Sequence, residues 1–238
     1  MPMQRYLVVN ADDFGYSNGV NRGIIDAHEL GIVTSASLMV RKPNAADAAL
    51  YCRDTSTLGV GLHIDLGEWV FRDDEWRPLY QVVDVEDAQA VDREVHAQLS
   101  AFRDLVGRNP THLDSHQNVH VRDPARAIVL RRARELGIPV RHFNPHIRYC
   151  GAYYGQTGEG APLPEAISVQ ALNRLLAAIA PGITELGCHP GYGSDLHSVY
   201  ASERDEEVRT LCDPRIRKIL AELGFTPTSF RTLAALTS

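Results

Sequence analysis

What most constrains the fold of this chain is the alternation of short apolar runs with segments of helical spacing. Tyr6–Asn10 reads as a strand, and Asn18–Leu30 follows it with Val20, Ile24, Ile25, Ala27 and His28 spaced as on a helix. The pairing recurs with Thr34–Val40 before Pro43–Arg53, Leu58–Ile64 before Glu86–Val106, and Thr111–Asp114 before Asp123–Leu136. Ile138–His142 precedes the helix Ser168–Ala180, Thr184–Cys188 precedes Ser202–Cys212 and Pro214–Leu223, and Thr228–Phe230 reads as a last strand. Three stretches break the rhythm. Leu66–Val85 is an irregular insertion carrying Trp69 and Trp76, Gly191–Tyr200 is a loop, and Asn144–Glu165 is long for a connection and rich in Gly, Tyr and Pro. Strands alternating with helices predict a parallel sheet with helical crossovers. About seven such units in 238 residues fit one α/β domain over residues 1–238, a distorted (β/α) TIM-like barrel of about seven parallel strands.

Composition narrows the class. The chain is 44% apolar and 23% charged, as a globular protein is. Its net charge of −6 and lack of a Lys/Arg cluster argue against nucleic acid as a partner. Cys52, Cys150, Cys188 and Cys212 form no CxxC pair, which suits reduced thiols. The N-terminus reaches Asp12 and Asp13 too early for a signal peptide, and no apolar run approaches the roughly 18 residues of a membrane span. A cytoplasmic protein with no membrane span is expected.

Four polar clusters follow predicted strands: ADDFG at Ala11–Gly15, GLHIDL at Gly61–Leu66, THLDSHQNVH at Thr111–His120 and GCHPG at Gly187–Gly191. In parallel α/β folds chemistry collects where strands end and the following loops begin, so all four should converge on one rim. Adjacent aspartates on a loop can cap a helix, or they can divide labour, one binding a cation and the other accepting a proton. His63 alone would read as a hydrogen-bonded core residue. Thr111–His120 adds three histidines and an aspartate, of which one or two side chains can ligate a single ion, while others, Asp114 and His120 among them, hold ligand rings in place. On a strand Cys188 and His189 point to opposite faces, which puts Cys188 in the core and His189 at the rim. Tyr16, Trp69, Trp76, Tyr153, Tyr154 and Tyr192 could stack on a sugar, and Arg141 could bind a hydroxyl or a phosphate. His63, Asp65 and His116 also match a non-haem iron pattern, but that pattern belongs to an all-β scaffold. The charged run Tyr200–Glu207 reads as the charged first turns of a helix and is assigned no chemistry.

The blocks NADDFG, GLHxxL, THxDSHxxVH and CHPG resemble those of the YdjC-like carbohydrate deacetylases, a family that includes chitooligosaccharide and hopanoid-linked N-acetylglucosamine deacetylases, from about Tyr6 to Phe230. The resemblance implies a distorted (β/α) barrel, often dimeric, acting on an N-acetylated carbohydrate. It implies Asp13, His63 and His116 as ligands of one divalent metal ion (Zn or Mg), Asp12 as catalytic base and His189 as general acid; Arg141 and Tyr192, read from their places after strands, are the candidates for substrate contact. Where members often carry a further histidine in an SHxHxH segment, this chain has Asn118. Three protein ligands leave positions open for water and substrate. Two rivals stand beside this reading: a metallo-phosphoesterase, which would want an Arg/Lys clamp, and a sugar-binding protein on a retired enzyme scaffold.

Overall fold

The computed structural model describes residues 4–196 and 200–233, so residues 197–199 of the predicted Gly191–Tyr200 loop lie outside it. Strand β1 (Arg5–Phe14) leads into helix α1 (Asn18–Glu29), whose first turn is capped by the Ser17 hydroxyl accepting from Val20 N–H. The chain continues through β2 (Ser35–Leu38), α2 (Ala45–Asp54) and β3 (Gly59–Ile64). The segment expected to be irregular is instead an antiparallel hairpin of β4 (Gly67–Arg72) and β5 (Glu75–Gln81). Its turn uses Asp73 and Asp74, both at positive φ. Helix α3 (Ala88–Val106) is capped by Asp87 and closed by left-handed Gly107. Then follow β6 (Leu113–Ser115), α4 (Ala125–Leu136), β7 (Ile147–Cys150), α5 (Val169–Ala178), β8 (Gly182–Cys188), α6 (Ser202–Leu211), α7 (Pro214–Glu222), β9 (Phe225–Pro227) and α8 (Phe230–Leu233).

Seven parallel strands form one sheet in the order β6-β3-β2-β1-β8-β7, with β9 on β1. β1 is the hub. Its first half pairs with β9 over Arg5–Leu7, its second half with β2 from Asn10, and its other edge with β8 over Arg5–Ala11. The expected alternation is borne out, with two shifts. Ile138–His142 makes only a single bridge, Val140 to Leu113, because Pro139 has no N–H to extend a ladder. The seventh position is taken by β7, from a stretch read as loop. The last strand ends at Pro227, and Phe230 begins α8.

Alternation along each strand separates two environments. Leu7, Val9 and Ala11 of β1, Leu62 and Ile64 of β3, and Leu186 and Cys188 of β8 join the apolar cluster under the helices. The opposite face of β1 carries Val8, Asn10 and Asp12. Alongside stand Ser37, His63, His112, Asp114 and Glu185, all buried. The inner face is therefore polar, and it must satisfy its own hydrogen bonds. Gly61 is required there: a Cβ would sit 2.4 Å from the His112 ring.

Candidate active site

The two aspartates of ADDFG serve one site because the backbone breaks its alternation between them. Asp13 has φ 68°, a left-handed value that aspartate tolerates better than most residues, and the β1–β2 register shifts between Ala11 and Phe14. In a regular strand Asp13 would point with Ala11 into the apolar layer. Here it turns to the rim beside Asp12.

Asp13 Oδ1 lies 3.1 Å from His116 Nδ1 and 3.4 Å from His63 Nε2, while its Oδ2 accepts from Arg204 at 2.6 Å. Asp13, His63 and His116 offer ligand atoms within 4.8 Å of one another. They come from β1, β3 and the start of the short helix His116–Val121 after β6. His63 Nδ1 bonds Asp114 Oδ1 at 2.9 Å, which leaves Nε2 to face Asp13. Burial would lower both imidazoliums, but the neighbouring carboxylates outweigh it. Asp114 and Asp12 hold His63 up at about 10, and Asp13 holds His116 up at about 9. Burial opposes ionisation of Asp13, yet Arg204 and His116 keep it well below the usual carboxylate range. Two imidazoles and a carboxylate that favour positive charge at one point are a donor set suited to a divalent transition ion.

Asp12 stands one residue away, engaged by different partners. Arg141 donates to both its oxygens at 2.6 and 2.7 Å, and Asn10 Nδ2 donates to Oδ1 at 2.9 Å. Burial would raise its carboxyl, but the Arg141 guanidinium wins and lowers it. The same guanidinium reaches Asp114 at 2.8 Å and Glu185 at 2.7 Å, so it ties β1, β6 and β8 together inside the barrel. Arg141 is 3% exposed and lies beneath the cleft floor, a placement different from the substrate contact expected for it. Burial raises Glu185 to about 7.

His189 follows β8 and reaches the rim as its strand phase requires. Its Nε2 is 3.8 Å from Asp12 Oδ2, its backbone N–H bonds Glu207, and its ring meets Tyr154 and Tyr200 edge-on. Burial pushes it down to about 4. Asp114 is within hydrogen-bond distance of the His63 ring. His120 instead bonds Ser115 at 2.5 Å and the Arg141 carbonyl at 3.2 Å and touches none of the three candidate ligands. Tyr192 turns away to α1, donating to Asp26 at 2.8 Å, and does not line the cleft. Asn118 is left-handed, with its side-chain Oδ1 3.2 Å from His142 Nε2.

The cleft over these groups has a volume of about 940 Å³. Trp69, Phe71 and Trp76 of the hairpin line it, with Tyr16, Tyr149 and Tyr154. Sequence reasoning missed Arg204, Glu68 and Glu207. Arg204 had a signal: Arg204, Glu207, Val208 and Leu211 are buried at helical spacing along α6, so the charged run is not a solvated face. Glu68 had none, because the insertion lacked a readable period.

The family described as YdjC-like protein matches residues 6–222. A carbohydrate deacetylase of Geobacillus stearothermophilus is 34% identical, the match covering 96% of this chain and 98% of that protein. A chitooligosaccharide deacetylase of Serratia marcescens is 30% identical, over 97% and 100% of the two chains. Among solved structures, a putative cellobiose-phosphate cleavage protein from Enterococcus faecalis superposes with a TM-score of 0.76 at 24% identity, covering 97% of this chain and 99% of that one, which shows the shared barrel-like fold. With four motifs on one rim and relatives matched end to end, this chain belongs to the YdjC-like family.

Proposed function

We propose that this protein is a metal-dependent carbohydrate N-deacetylase that removes the acetyl group from an N-acetylglucosamine-type sugar. One observation carries the reading. Three ligand atoms on separate elements face a common point, and a further carboxylate beside them is held by an arginine and kept out of that set. The deacetylase relatives supply the substrate class. Asp13, His63 and His116 would hold a divalent ion, zinc by donor type. Bound there, such an ion supplies a Lewis acid for the acetamide carbonyl and for an attacking water.

The chain's own groups account for the protons. Asp12, ionised and aimed by Arg141, accepts a proton from the attacking water. The sugar nitrogen leaves only when protonated. His189, neutral at rest, stands at the rim close enough to Asp12 to pass that proton on, so the water's hydrogen ends on the amine and its hydroxyl on the acetyl carbon. Trp69 and Trp76 offer faces to the sugar rings. The two arginines at the candidate ligands, Arg141 and Arg204, are already paired with Asp12 and Asp13 and so do not form a phosphate clamp there.

Acetate release from N-acetylglucosamine oligomers, with and without a chelator, tests the proposal. Release abolished by chelator and restored by zinc supports it. Binding of the oligomers with no release favours the retired scaffold, and hydrolysis of a phosphate ester instead favours the rival enzyme.

A further inference from the structure

The hairpin β4–β5 reaches the proposed metal site through one side chain. Glu68, on β4, is 7% exposed and lines the cleft. Its Oε2 lies 3.6 Å from His116 Nε2, an ion-pair distance. Both atoms are buried, and neither has a hydrogen-bond partner among the described residues. The other nitrogen of the same ring, Nδ1, faces Asp13 Oδ1 at 3.1 Å. His63 shows the opposite arrangement: its Nδ1 bonds Asp114 at 2.9 Å and its Nε2 faces Asp13 at 3.4 Å.

An imidazole that binds a cation through one nitrogen keeps its proton on the other, and that N–H needs an acceptor. Asp114 is the acceptor for His63. Glu68 is the group aimed at the free side of His116. We infer that Glu68 is a positioning residue for the metal centre: it accepts from His116 Nε2–H, fixes the tautomer whose bare Nδ1 faces Asp13, and so makes His63 and His116 ligate through opposite ring nitrogens. This rests on the reading of Asp13, His63 and His116 as ligands.

The hairpin is anchored well enough to do this. Gln117, the residue after His116, accepts from Trp69 N–H and donates to the Trp69 carbonyl, both at 2.8 Å. At the other strand, Tyr80 donates to Asp65 at 2.9 Å and receives from Lys42 at 2.6 Å. An element that carries cleft tryptophans therefore also sets the orientation of a metal ligand.

The test uses the full chain with 15N-labelled histidine and zinc alone as the probe. Two-bond proton–nitrogen correlation spectra show which ring nitrogen carries hydrogen, and signals are assigned by their loss in His63→Gln and His116→Gln. In the zinc-loaded protein His116 should be protonated at Nε2 and His63 at Nδ1. Competition with a chromogenic chelator should show zinc affinity falling roughly 10–100-fold in Glu68→Ala, the usual cost of losing an outer carboxylate partner. Glu68→Gln, which keeps an acceptor oxygen, should fall between. Circular dichroism of the chelated Glu68→Ala protein should show the fold of the parent, although loss of the buried partner of His116 lowers its thermal midpoint. Zinc bound with both rings protonated at Nδ1, or an unchanged zinc affinity in Glu68→Ala, overturns this inference alone. A parent chain that takes up no zinc overturns the ligand set as well.

Discussion

Asp12→Asn separates the two ways this site could hold a cation. Besides Asp13, His63 and His116, the trio Asp12, His63 and Asp114 also brings ligand atoms within 4.8 Å. The second trio is already saturated. Both Asp12 oxygens accept from Arg141, Asp114 Oδ1 accepts from His63, and Asp114 Oδ2 accepts from Ser37 at 2.6 Å and Arg141 at 2.8 Å. In Asp12→Asn an amide NH₂ replaces one carboxylate oxygen and meets the guanidinium donor to donor. One unsatisfied buried donor costs about 1–3 kcal/mol. For a chain of this size that lowers the thermal midpoint by ~2–4 °C per kcal/mol, and Arg141 keeps Asp114 and Glu185, so the variant folds. The lost proton acceptor costs roughly 10²–10⁴ in rate, or about 2.7–5.4 kcal/mol of barrier. Acetate release measures the rate, and elemental analysis measures zinc. The expected result is full zinc content with a rate down by at least about a hundredfold, while Asp13→Asn loses the zinc. Zinc lost from Asp12→Asn and kept by Asp13→Asn would refute the division of labour between the two aspartates.

Arg141→Met should strip the counter-charge from three buried carboxylates and destabilise the fold by about 3–5 kcal/mol, read as a thermal midpoint lower by ~6–20 °C; an unchanged midpoint contradicts the account of the inner network. Trp69→Ala should raise KM for N-acetylglucosamine oligomers about 2- to 10-fold, in line with the ~0.5–1.5 kcal/mol of an aromatic contact, and an unchanged KM removes Trp69 from the sugar site. In chelator-treated protein His63 and His116 are raised to about 10 and about 9, above the unfolded value near 6.5. The stability they contribute is fully present below pH 6.5 and is lost as pH rises through 9–10, by about 1.4 kcal/mol per pH unit for each group in between. Thermal midpoints at pH 7 and pH 9 in chelator should therefore fall, and a flat or rising midpoint denies the protonated pair.

Much of the site was legible because it obeys strand phase. His63, Asp114 and His189 sit on the inner face by alternation alone, and the four motifs meet because each ends a parallel strand. What stayed hidden depends on contacts across the sheet. Arg141 was visible as a residue after a strand, yet only three-dimensional packing shows it serving three carboxylates rather than a ligand. Tyr192 was one tyrosine among several, and its bond to Asp26 has no local signature. The Leu66–Val85 stretch hid its hairpin because β5 is exposed on nearly every residue, so it shows no inside–outside pattern. Ile138–His142 had strand-like residues, but Pro139 removes a ladder donor and leaves one bridge.

The left-handed turn at Asp13 makes the end of β1 a fork, with one tine held by Arg141 and the other by Arg204. The spacing between the two tines is set by a single peptide unit in the central strand. Loops around the mouth can lengthen, shorten or change their aromatic faces, and so alter which sugars enter, without changing the distance between the two carboxylates on which the chemistry is proposed to turn.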